Sequence, residues 1–301
     1  MSNFTLVKRS TLTASVASLI SLLSLLSASS SRAATISNGN FTTGNFNPEQ
    51  LPIGDASVQK SSDFGSVPPE GQQFEALVTT ATTTPILSGF DHPSFSGTDP
   101  ASTVALETFL GLPTGSLNLL SNSDVNYSKR KVIAGSAFKQ TINANAGDQV
   151  SFEWNFLTNE MVPEPSSTDY AFFSVVPSNS SSSPILLANA DPTDPSAFIT
   201  SGTPLSLSPG STSETGFHTQ SYTILTTGTY TLGFGVAQVN PVTPFPDDNT
   251  GNSALLIDNV SLTSPSAETN PAGVPEPNSA LGILVLGIFG AGSLLKRKQQ
   301  N

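Results

Sequence analysis

Val150-Ser151-Phe152-Glu153-Trp154-Asn155-Phe156 is the stretch that decides the fold. Apolar and polar residues alternate with period two, so Val150, Phe152, Trp154 and Phe156 share one face of a strand and Ser151, Glu153 and Asn155 the other. The only Trp of the chain then points into a core. Ala146-Gly147-Asp148, just before, has the makeup of a turn. The plan recurs after Thr227-Gly228, where Tyr230, Leu232, Phe234 and Val236 alternate with Thr231, Gly233 and Gly235. Tyr170 to Val176 and Ala254 to Leu262 are two further β-rich runs, set apart by Pro-, Ser- and Asn-rich loops such as 177–184 and 240–252. Short strands punctuated in this way predict an all-β fold, an antiparallel β-sandwich of jelly-roll type over residues 34–262. One short helix is expected: Asp99 caps it, Pro100 suits its first turn, Ala105, Leu106, Phe109 and Leu110 form its stripe, and Gly111 ends it. Residues 263–273 read as a linker.

Composition narrows the function. The 301 residues carry 11 Lys+Arg against 22 Asp+Glu, a net charge of −11, and of these 34–273 hold five cations and 21 carboxylates, a net −16. Such a surface repels nucleic acid phosphates, and a nucleic-acid partner is excluded. With no Cys there are no disulfides, thiolate nucleophiles or Cys-based metal centres, and two His leave little for a His-rich one.

The two ends read as processing signals. In residues 1–33, Lys8 and Arg9 form a positive start, Leu12 to Leu26 an apolar stretch, and Ser31-Arg32-Ala33 a small-residue site with cleavage after Ala33. At the other end Val274-Pro275-Glu276-Pro277 precedes an apolar run from Ala280 to Leu295 and then Lys296-Arg297-Lys298. As a single transmembrane helix, 280–295 would reach about 24 Å against a hydrocarbon core of about 30 Å, with snorkelling Lys side chains making up the rest. The basic cluster acts as a stop-transfer signal and places the body on the outer side of the inner membrane.

Residues 274–301 resemble the PEP-CTERM sorting signal of Gram-negative and cyanobacterial envelopes: a Pro-Glu-Pro motif, a short spanning helix and a basic end. That resemblance implies an exosortase-type processing enzyme as partner, recognition through Val274, Pro275, Glu276 and Pro277, and an extracellular or cell-surface destination alongside exopolysaccharide. The alternative is a plain C-terminal anchor behind an accidental Pro-Glu-Pro. Within the body, Asn38-Gly39-Asn40-Phe41 and Ile257-Asp258-Asn259-Val260-Ser261-Leu262 resemble the first and last strands of galactose-binding-like and carbohydrate-binding jelly rolls. Gly135 to Gln140, Ala146-Gly147-Asp148 and Asn155 to Glu160 look like a block found in cyanobacterial PEP-CTERM proteins and some bacterial adhesins. The opening departs from the jelly-roll pattern in lacking the aromatic residue of a Gly-Trp pair.

Hard cations take oxygen ligands, and the body is acidic. The jelly-roll resemblance implies Asn38, Asn40 and Asp258 as calcium ligands tying the first strand to the last; the alternative gives the Asn side chains to turn hydrogen bonds and Asp258 to a strand end. Glu160, Glu164 and Asp169 form a second acidic group, and Asp247-Asp248 lacks the spacing of a 12-residue calcium loop. Glu153 and Glu160 could form a glycosidase carboxylate pair, but sequence alone sets no separation between them, and a polar-face Glu on a strand is common. His92 and His218 have no second His at ligand spacing, and no Gly-x-Ser-x-Gly turn is present, so the chain is not expected to be an enzyme. Lys129-Arg130-Lys131 reads as a solvated turn, and the Asn-x-Ser/Thr triplets at Asn40, Asn126, Asn179 and Asn259 are ordinary in a Ser/Thr-rich chain. Two function classes remain: an exported structural protein of the envelope or matrix, and a carbohydrate-binding module that uses calcium.

Overall fold

Residues 149–158 form β6 (Gln149–Thr158), the central strand of one of two sheets in the computed structural model. The structure describes residues 35–63, 73–84, 93–121, 130–158, 169–190, 199–200, 213–241 and 252–265. The signal-peptide residues 1–33, the helix 280–295, the sorting motif 274–277 and the basic cluster 296–298 lie outside these. Among the described residues no helix is long and apolar enough to cross a membrane.

The first sheet runs in the order β1 (Gln50–Ile53), β5 (Arg130–Ala144), β12 (Gly228–Pro241), β7 (Tyr170–Pro177), β8 (Ile185–Asn189), with β4 (Ala101–Ser102) also on β5. The second runs β2 (Asp55–Lys60), β3 (Phe74–Thr79), β13 (Ser253–Thr263), β6, β10 (Ser213–Glu214), β9 (Ile199–Thr200), with β11 (His218–Thr223) sharing the free side of β6. The pairings are antiparallel, and the two sheets face each other as a β-sandwich.

Alternation supplies the core. Phe138, Phe234 and Phe173 stand in register across β5, β12 and β7. Phe234 stacks on Phe138 at 5.0 Å and meets Phe152 of the opposite sheet edge-on at 4.9 Å. Each such ring removed from water contributes about 1.5–3 kcal/mol, and the edge-on geometry adds to it. Trp154 is buried in the same cluster, where its alternation places it.

The outer face of the first sheet is covered by α1 (Thr103–Leu110) and α2 (Ser116–Ser121). Their Leu106, Leu110 and Leu117 pack on Val132, Ala137, Phe172 and Ala237. Gly233 explains how α1 comes so close: a Cβ there would stand 2.6 Å from Leu110 Cδ2. The alternating Gly233 and Gly235 of the sequence therefore mark the helix-bearing side of β12. Three corrections follow. The fold has two described helices where one was expected, and the cap of α1 is Ser102, whose side chain accepts from the Ala105 N–H. Asp99 instead accepts from the Thr83 amide and hydroxyl, both at 2.7 Å. Arg130 and Lys131 open β5 opposite Pro241 and Asn240, so that basic run is in part strand and not a turn.

Candidate functional site

The first loop and the last strand meet on the outer side of the second sheet. Strand β13 pairs regularly with β6 as far as Asp258 opposite Glu153, then slips before Ser261 pairs with Ser151. Asn259 sits in this bulge at φ 50°, a left-handed conformation that Asn tolerates better than most residues. The Val260 N–H donates to the Gly39 carbonyl at 2.9 Å, and a Cβ on Gly39 would stand 1.9 Å from the Val260 oxygen. Only glycine permits that approach. Phe41, two residues on, is fully buried and packs edge-on against Phe138 at 5.7 Å, anchoring the loop in the core.

Between loop and sheet lies an open cleft of about 670 Å³. Asn38, Gly39 and Asn40 form one wall; Ser151 and Glu153 of β6, Thr219 of β11 and Asn259 and Ser261 of β13 give the floor its polar side chains, and Ile36, Phe152 and Val260 also line the cleft. Ser151 and Glu153 are the polar half of the alternation that fixes the core, so one pattern serves both. Glu153 is half-buried, and its Oε2 accepts from Asn259 Nδ2 at 2.9 Å.

Next to Glu153 a row of carboxylates crosses the sheet. Asp258 is its direct partner, and because Ile257 pairs with Ala76, Glu75 follows on β3 on the same outer face. Glu75 and Asp258 are both 0% exposed. Among the described residues, neither carboxylate oxygen of Glu75 has a hydrogen-bond partner. Burial, then the charges of Asp258, Asp63 and Glu214, push its pKa well above the usual carboxylate range. Glu214, also buried, accepts from Asn155 Nδ2 at 2.6 Å.

Of the residues implied for calcium, Asn38 and Asn40 flank the cleft while Asp258 is buried beside it. Asn38 gives its amide to the Asn45 carbonyl and Gln50 Oε1, and its Oδ1 accepts from Thr43; Asn40 Oδ1 accepts from Thr42. Asp258 Oδ1 accepts from the Asn259 N–H at 2.7 Å. Turn hydrogen bonds thus engage Asn38 and Asn40 within the loop. Among the described residues no group of three or more His, Asp and Glu is placed to hold a metal. Asp169 is buried, accepting from the Val239 N–H at 3.0 Å and the Thr80 hydroxyl at 3.2 Å, a structural role. His218 is exposed and stacks on Trp154 with ring centroids 5.0 Å apart. Glu160, Glu164, Asp247, Asp248, His92 and Lys129 lie outside the described residues. Sequence reasoning missed Glu75, although its alternation with Leu77 and Thr79 in Phe-Glu-Ala-Leu-Val-Thr was the available signal.

No protein-family model and no curated protein matches the chain. Similar solved structures include TmCBM61 in complex with beta-1,4-galactotriose, at 12% identity and TM-score 0.34, covering 78% of this chain and 100% of that one. The enzymatically active domain of bacteriophage CBA120 tailspike protein 4 shares 12% identity at TM-score 0.32, with 75% and 21% covered. The CBM22-1-GH10 modules of Clostridium thermocellum endo-1,4-beta-D-xylanase 10B, complexed with xylohexaose, share 8% at TM-score 0.27, with 80% and 30% covered.

Proposed function

We propose that this chain is a non-enzymatic, exported β-sandwich protein of the cell envelope whose cleft binds a carbohydrate. The observation that carries the reading is the cleft itself, where amide, hydroxyl and carboxylate side chains converge on one concave surface. Sugars present closely spaced hydroxyls that both donate and accept, and a wall of Asn, Ser, Thr and Glu answers each of them. The Gly39–Val260 contact and the buried Phe41 hold that wall in place before any ligand arrives, which lowers the ordering cost of binding. Glu153 is one carboxylate without a described acid partner in the cleft, which supports binding over hydrolysis.

The test is calorimetry of the full-length protein against a panel of neutral and charged oligosaccharides. Asn259→Gly keeps the left-handed backbone and deletes the amide, and Asn40→Ala trims the facing wall. At least one glycan class binds the natural protein, and the double variant loses about tenfold or more in affinity, the equivalent of 1.4 kcal/mol. Unchanged binding in the double variant, or no glycan bound by the natural protein, overturns the reading. Adding calcium to the same titration tests whether binding depends on it.

The location rests on the terminal signals of the sequence. With Val274-Pro275-Glu276-Pro277 as an exosortase recognition motif, the Pro275→Ala/Glu276→Ala variant stays in the inner membrane while the natural protein reaches the surface or medium. Fractionation and intact mass decide it; equal release of both proteins contradicts the sorting role.

A further inference from the structure

The charge around the cleft narrows the ligand. Resting on the carbohydrate reading above, we infer that the glycan selected here carries free ammonium groups, as in a polymer with unacetylated amino sugars, in preference to a neutral or uronate one.

Glu153 is the carboxylate that lines the cleft, and it is the outer end of the cross-strand row that continues through Asp258 to Glu75. Glu153 is itself half-buried beside its fully buried cross-strand partner Asp258, so the cleft-lining carboxylate is only in part screened by water. Compensating cations are absent from the cleft lining. Of the five Lys and Arg in 34–273, Lys139 lies on the other sheet, donating to the Phe109 carbonyl and sitting 4.2 Å over the Phe109 ring. Lys60 and Lys131 are exposed on β2 and at the start of β5.

A divalent metal would need about six to eight oxygen ligands around it, and the cleft offers one carboxylate. An ammonium group has three donors and no acceptor, and Glu153, Ser151, Ser261 and Asn40 supply acceptor oxygens around the floor. Its bond to Glu153 is charge-assisted and in part shielded from water, whereas a neutral hydroxyl gains only an ordinary hydrogen bond and a uronate is repelled.

The experiment compares three tetrasaccharides on the full-length protein by calorimetry: glucosamine, N-acetylglucosamine and galacturonate, at a pH where the amine is charged. The amine form binds at least about tenfold tighter than the acetylated one, a 1.4 kcal/mol difference. The galacturonate is weakest, and the advantage of the amine shrinks as salt is raised. Glu153→Gln, which keeps an oxygen for Asn259, abolishes the preference while near-ultraviolet circular dichroism stays unchanged. Equal affinity for the amine and acetylated forms overturns this inference and leaves the carbohydrate reading standing. A preference that survives in Glu153→Gln also overturns it, since the attraction would then belong to the acidic body as a whole. No binding of any of the three, together with none across the wider panel, removes both.

Discussion

The two outer faces of this sandwich are built to opposite ends. On the first sheet, Gly233 and Gly235 clear space, α1 and α2 lie down, and Leu106, Leu110 and Leu117 make a second core. On the second sheet the same alternation presents Glu75, Asp258, Glu153 and Asn155 outward, with a smaller apolar group of Leu77, Leu157, Ala254 and Leu256 beside them. One face gains stability from apolar burial. The other holds buried carboxyl groups next to an open cleft, an arrangement that costs stability unless something offsets it. The contrast separates the part of the fold that stabilises from the part that carries the cleft.

That separation can be broken at the helical face first. Leu110→Ala opens a cavity under α1 and is expected to cost about 2–5 kcal/mol, measured by denaturant unfolding. Binding of glycan by the folded fraction stays unchanged, because Leu110 belongs to α1 on the outer face of the other sheet. A loss of affinity would mean the two faces are coupled.

Gly39→Ala strikes where loop and bulge touch. Its Cβ meets the Val260 carbonyl, so the loop must shift, at a cost of about 1–3 kcal/mol. Here stability and affinity fall together, since Gly39 forms part of the cleft wall. Thermal unfolding and calorimetry on one preparation read both.

The smallest effect sharpens the comparison by pH. Glu75 has its folded pKa raised above the ordinary value of 4.5, first by burial and then by Asp258. The native state therefore holds a proton that the unfolded chain releases. Stability from this group is fully present below about pH 4.5, and it is lost as pH rises through the folded pKa. Glu75→Gln, neutral at every pH, flattens that decline. Melting temperatures of both proteins across pH 4 to 8 check it, and parallel curves would contradict the buried-acid account.

Much of the sandwich was legible because its strands are long and alternate strictly. Phe152, Trp154, Tyr230 and Phe234 all face the core as their spacing requires. The helix start was misplaced because Asp99 and Ser102 are both good cap residues, and only the fold shows that Asp99 is engaged by Thr83. The six-residue α2 is too short to leave a periodic stripe. Asn38 and Asn40 line the cleft beside the last strand, and the loop engages Asn38's amide and Asn40's Oδ1 in its own turns. The carboxylate row was hidden for a different reason. Glu75, Glu153 and Asp258 come from three distant stretches, and only the register of β3, β13 and β6 aligns them.

The most direct test of the central claim is a nuclear magnetic resonance titration of the isotope-labelled protein with the glucosamine tetrasaccharide. Shifts confined to the amides of Asn40, Ser151, Glu153, Thr219, Asn259 and Ser261 are the predicted result. Shifts centred on the helical face around Leu110 and Lys139, or none at saturating sugar, would contradict it.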